Sequence, residues 1–140
     1  MVTPRTAQAR CLRRKTCRAI GYDRHVEVRR DPVSDRRVAR YLIYRSLDGK
    51  DFERVGIQLP NAYRYTDFLG KARVKVQHRV AASDNEYRQS PPSRVASAST
   101  REFKDDELLT MLQEECFRYY REGADPHSGM ARENIPGATE

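Results

Sequence analysis

The hydrophobic period of this chain changes once, and that change limits what it can fold into. From about residue 16 to residue 99, apolar and polar residues alternate in short runs. From Asp105 to Glu122 the apolar residues recur every three or four positions instead. A period of two marks a half-buried strand, and a period of 3.6 marks one face of a helix. The order of the two patterns predicts a β domain followed by a single amphipathic helix.

Seven runs carry the alternation: 16–20, 25–29, 38–46, 52–57, 63–68, 74–82 and 94–99. Turn signals separate them. Pro32 stops the second run, Asp48-Gly49 is a compact hairpin signal because glycine accepts positive φ, and "SDNEYRQSPPS" is a turn-rich loop before the last strand. In "VARYLIYRS" Tyr41 and Ile43 face one way and Leu42 and Tyr44 the other, which suits a central strand. In "VKVQHRVAA" one face collects Val74, Val76, His78, Val80 and Ala82. Short strands with turns every eight to twelve residues predict an antiparallel sandwich. The fold class expected is mainly β, a seven-stranded sandwich with one C-terminal helix. That helix, "DDELLTMLQEECFRYYRE", sets Leu109, Leu112, Cys116, Tyr119 and Tyr120 on one stripe, flanked by Leu108 and Phe117. Asp105 is expected to cap it and Gly123 to end it.

Composition narrows the function. Only 38% of the 140 residues are hydrophobic, so the core is small. The net charge of +7 comes from 27 Lys and Arg against 20 Asp and Glu, with much of the excess before residue 41. An acidic partner is one reading of that excess, and the general basicity of an Arg-rich sequence is the other. Cys11, Cys17 and Cys116 form no CxxC pair and have no histidine at ligand spacing, so neither a zinc site nor a disulfide framework is expected. No cofactor is expected, since there is no Gly-rich phosphate loop, HExxH or Ser/His/Asp pattern. No run reaches membrane-span length, and the basic first twenty residues lack the apolar core of a signal peptide. As written the chain is expected in the cytoplasm, an intact parent being free to be exported. Residues 1–13 read as a disordered basic leader.

The runs "YLIYRS", "DGKDFERVG", "YRYTD" and "VAASDNEYRQSPPS" together resemble a fibronectin type III module over about residues 14–100. That family usually has a core tryptophan in its second strand, where this chain has Arg30, and aromatics in its sixth, where this chain has Val76 and His78. An arginine there is expected to send its head to water. The tail, "DDELLTMLQEECFRYYREGADPHSGMARENIPG", resembles the opening helix and loop of bacterial glycoamylase-like hydrolases, with Arg121 where tryptophan is common. The resemblance implies an (α/α)₆ barrel acting on glucans, of which residues 101–140 would be the N-terminal remnant.

Glycoside hydrolysis usually needs two carboxyl groups held about 5 Å or about 6.5–9.5 Å apart. A single helix and loop hold no such pair, so none of Glu122, Asp125, Glu133 and Glu140 is assigned a catalytic role. In an intact parent, His127, Ser128, Arg132 and Glu133 would line the substrate rim; otherwise Asp125-Pro126 and Gly129 simply shape a turn. The functional expectation is a non-catalytic accessory module of a carbohydrate-active enzyme, present as a fragment, with a missing catalytic (α/α)₆ domain and a carbohydrate as partners. Two rivals stand beside it: a free-standing module that binds a polyanion weakly through its arginines, and a fragment without function.

Overall fold

A computed structural model describes residues 17–32, 34–125 and 127–130. The expected leader, residues 1–13, lies outside them. The chain divides into two units, the first ending at Glu102 and the second beginning at Phe103.

The first unit is the expected sandwich. Its strands are β1 (Cys17–Gly21), β2 (His25–Arg30), β3 (Arg40–Ser46), β4 (Glu53–Gln58), β5 (Arg64–Phe68), β6 (Lys75–Ser83) and β7 (Ala96–Ser99). Strands pair antiparallel into one sheet of order β1-β2-β5 and another of order β4-β3-β6-β7. Between the sheets lie Val26 and Val28 of β2, Tyr41 and Ile43 of β3, and Val76, Val80 and Ala82 of β6, with Val38 beside them. These are the alternating positions, so register follows directly from pattern. Full burial of each large aliphatic side chain stabilises by about 1.5–3 kcal/mol, and a core this short leaves the unit dependent on its polar contacts.

β7 begins two residues later than the alternation predicts. In the segment Ser90-Pro91-Pro92-Ser93 the prolines donate no backbone hydrogen bond, and the serines take over the edge of β6. Ser90 donates its N–H to Ala82 O (2.9 Å) while its Oγ accepts from Ala82 N (3.0 Å). Ser93 does the same with Val80, at 2.7 and 3.0 Å.

Arg30 departs from expectation. It is only 8% exposed, and its head does not reach water. The guanidinium lies 3.5 Å from the Tyr41 ring centroid and 5.0 Å from that of Tyr63. Its Nη2 donates to the carbonyls of Leu59 (3.3 Å), Pro60 (2.9 Å) and Ala62 (2.6 Å) in the β4–β5 loop. Burial lowers its pKa, but a guanidinium starts so high that it stays charged. The loop carbonyls replace solvent at Nη2, while Nε and Nη1 lie buried against the rings with no hydrogen-bond partner among the described residues.

A second polar tie crosses the sandwich. Asp67 of β5, 4% exposed, accepts from Arg45 Nη1 of β3 at 3.0 Å and faces His78 Nε2 of β6 at 2.8 Å. A carboxylate paired with a guanidinium only accepts, so His78 carries its proton on Nε2. The other ring nitrogen of this fully buried histidine has no partner among the described residues. Arg45 also donates to Glu53 at 2.6 Å. Burial works to lower the pKa of Arg45, but Glu53 and Asp67 outweigh it and raise the pKa. Tyr65 adds a third tie: its hydroxyl donates to Val55 O of β4 at 2.5 Å, with the ring lying where a Cβ on Gly56 would sit, 2.3 Å away.

Arg30→Ala is expected to cost about 2–4 kcal/mol, from the lost donation to three loop carbonyls and a lost ring contact. Arg30→Lys should recover less than half of this, because an ammonium neither forks nor stacks like a guanidinium. Urea unfolding of the three proteins tests this; a cost below about 0.5 kcal/mol for the alanine variant would mean that Arg30 is not a structural tie.

Candidate functional site

The second unit carries the residues singled out for function. Its helix α1 spans Asp105–Glu122, the bounds set by the change of period. The N-cap is Lys104 and not Asp105, which falls inside the first turn with Asp106 and Glu107. There the three carboxylates favour the positive end of the helix dipole, and Glu107 accepts from Lys104 N at 3.1 Å. Gly123 closes the helix by donating to Tyr119 O at 3.0 Å, with φ −86°, so its left-handed freedom is not used.

No residue of α1 is buried. Leu109 is 57% exposed, Leu112 48%, Phe117 69% and Tyr120 57%. Leu108, Tyr119 and the Cys116 thiol are exposed on the same broad stripe. One turn of helix rises about 5.4 Å, so the stripe from Leu108 to Tyr120 runs about 18 Å. An apolar stripe of this length is the signature of a face made to be covered, and among the described residues of its own unit nothing covers it.

After the helix, Asp125 organises the loop. Its Oδ1 accepts from the backbone N–H groups of His127 (2.9 Å) and Ser128 (3.0 Å). Its carbonyl accepts from Gly129 N (2.8 Å), and its own N–H donates to Met130 O (2.9 Å). Gly129 sits at φ +69°, a conformation that glycine adopts without penalty. The carboxylate is thus committed to the turn. His127 and Ser128 project from it exposed. Arg132 and Glu133, the other two candidate rim residues, lie outside the described residues, as does Glu140. No group of three His, Cys, Asp or Glu side chains that could hold a metal occurs among the described residues, and no described helix is long and apolar enough to cross a membrane.

The two described cysteines differ sharply. Cys17 faces the sandwich core, and burial pushes its thiol up to about 11, partly opposed by Ser93. Thiolate is the reactive form, so at pH 8 Cys17 should resist iodoacetamide until the sandwich unfolds, while Cys116 labels readily. Peptide-resolved mass spectrometry after brief labelling checks this; equal labelling of the two sites would contradict the burial of Cys17.

No protein-family model matches the chain. Over 122 residues, 87% of its length, it is 44% identical to an exo-β-1,2-glucooligosaccharide sophorohydrolase (non-reducing end) of Parabacteroides distasonis. The match spans 17% of that relative. The crystal structure of a β-1,2-glucanase from Parabacteroides distasonis superposes with a TM-score of 0.76 at 42% identity, covering 88% of this chain and 18% of that one. A human fibronectin type III domain superposes with a TM-score of 0.57 at 14% identity, over 76% of this chain and 88% of its own, a likeness of fold alone. The first unit is therefore a fibronectin type III-like sandwich, and the chain is homologous to part of a glucan-hydrolysing enzyme, spanning less than a fifth of it.

Proposed function

We propose that this chain is a non-catalytic accessory module of a glycoside hydrolase acting on β-1,2-linked glucooligosaccharides, and that the α1 stripe is its docking face for an (α/α)₆ catalytic unit. One observation carries the reading. The sandwich unit ends at Glu102, so a 122-residue match must run on into the second unit. Sandwich and helix are thus preserved together in an enzyme several times longer. The exposed stripe supplies the physical reason. A helix keeps large apolar side chains on one face when another helix packs there, and an (α/α)₆ barrel packs every helix against neighbours.

Chemistry by this chain alone is not part of the proposal. Acid and base carboxyls must be held across a scissile bond by a rigid frame. Asp125, which precedes the candidate rim residues, is occupied by its turn. In the assembled enzyme the Asp125 loop would stand at the cleft rim, with His127, Ser128, Arg132 and Glu133 offered to sugar hydroxyls.

The test uses two proteins. One is the 140-residue chain; the other is the Parabacteroides enzyme lacking the segment that this chain matches. The chain alone should release no reducing sugar from β-1,2-glucooligosaccharides, and sustained release by the purified chain would end the proposal. Mixed, the two should associate, and Leu109→Asp with Leu112→Asp should weaken association at least about tenfold by burying charge at a packed centre. Equal binding of parent and variant would remove the stripe from the interface.

A further inference from the structure

The outer face of the four-stranded sheet holds a groove of about 400 Å³ beside the β3–β4 turn. Its floor is β6 and β7. Gln77 lies opposite Ser46 of β3 on one side and Ser97 of β7 on the other, and Lys75 lies opposite Ser99. The alternate positions, Val76 and Ala98, pack into the core, so the floor side chains are on the face away from it. The turn residues Leu47, Asp48 and Gly49 form the wall. The volume falls within the range of small-molecule sites, about 300–1,000 Å³.

Two features of the groove go beyond what folding requires. β7 reads Ala-Ser-Ala-Ser, although β-branched and aromatic residues suit a strand better, and its small side chains keep the floor low. The polar floor is also uncommitted: Lys75, Gln77, Ser97 and Ser99 make no side-chain hydrogen bond or ion pair among the described residues. The wall, by contrast, is firmly tied. Asp48 Oδ1 accepts from Ser46 Oγ (2.9 Å), Lys50 N (2.8 Å) and Asp51 N (2.9 Å). Ser46 Oγ in turn accepts from Gly49 N at 2.9 Å. The second carboxylate oxygen of Asp48 has no hydrogen bond among the described residues. The site is thus preorganised on its wall and open to new partners on its floor.

We infer that this groove binds a neutral glucooligosaccharide. The donor and acceptor set carries the ligand class. One amide and two hydroxyls each donate and accept, as sugar hydroxyls do. Lys75 adds donors and Asp48 an acceptor, and their opposite charges leave the groove without net charge, so neither an anion nor a cation is selected. Leu47, 61% exposed, offers a surface to the apolar C–H face of a sugar ring. That the polyol is a glucooligosaccharide rests on the accessory-module reading; a polypeptide segment of the catalytic unit is the competing occupant. No aromatic ring lines the groove, so binding is weak and serves to keep substrate near the enzyme.

The experiment is an amide NMR titration of the 140-residue chain with sophorose, a β-1,2-linked glucose disaccharide, up to about 20 mM, which spans a site of millimolar Kd. Amides of residues 47–50, 75–77 and 97–99 should shift together and saturate, with those elsewhere unmoved. Gln77→Leu with Ser97→Val removes an amide and a hydroxyl and should weaken binding at least about fivefold, with amide positions away from the groove unchanged. The parent's shift map decides the matter by itself if the variant does not fold. Absent or scattered shifts in the parent, or equal binding by a folded variant, would overturn the site. Tighter binding of glucuronate than of sophorose would overturn the neutral-sugar assignment. Shifts at the same amides on adding the truncated Parabacteroides enzyme, with none from sophorose, would give the groove to a polypeptide and overturn the sugar. These outcomes are separate from association through the α1 stripe, which Leu109→Asp with Leu112→Asp reports and which leaves sophorose binding by the free chain unaffected.

Discussion

Asp67 is the contact on which the sandwich depends. It stands on one sheet, is almost wholly buried, and meets both Arg45 and His78 of the other sheet. A short hydrophobic core can bring two sheets together but defines their relative position loosely. A buried carboxylate with two directional partners defines it closely, because any slip leaves charges unpaired in low dielectric. Arg30 works in the same way at a position four residues away along β3, where it stacks on Tyr41. Between these ties lie Ile43 and the valines. The polar contacts thus bracket the apolar ones, and the sandwich closes with material from its own unit.

The helix poses the opposite case. Its boundaries, dipole and closing contact are complete within the second unit, and its loop is tied by Asp125. Backbone hydrogen bonding needs nothing more. Among the described residues nothing covers Leu109, Leu112, Phe117 and Tyr120. Isolated helices of this length are marginal in water, because tertiary packing of the apolar face supplies most of their stability. The homology to part of a β-1,2-glucanase gives that unmet packing a direction: the greater part of the related enzyme lies beyond the segment that this chain matches.

Much of the fold was legible in the sequence because it follows from period. The alternation of Val26 and Val28, of Tyr41 and Ile43, and of Val76, His78 and Val80 fixed strand, face and register at once. The helix bounds followed from the switch to a 3.6 period. Three features were not legible. The environment of Arg30 depends on carbonyls about thirty residues away, so propensity at Arg30 itself could only suggest a solvated head. The Asp67 tie joins three strands that no local pattern links, although a charged residue at an inward position of "YRYTDF" was a signal. Gly56 was the signal for the Tyr65 crossing, since a glycine within a strand often marks a close approach. At the candidate site, the turn around Asp125 was visible from Asp-Pro and Gly129.

The two units should differ in stability by far more than their secondary structure suggests. Native-state hydrogen exchange on the free 140-residue chain measures that difference most directly. Amides of β3 and β6 should exchange only through global unfolding, while those from Leu108 to Tyr120 should exchange orders of magnitude faster and slow down when the remainder of the related enzyme is added. If the helix amides of the monomeric free chain were as strongly protected as those of β3, the stripe would already have its cover, and a docking role for it would be contradicted.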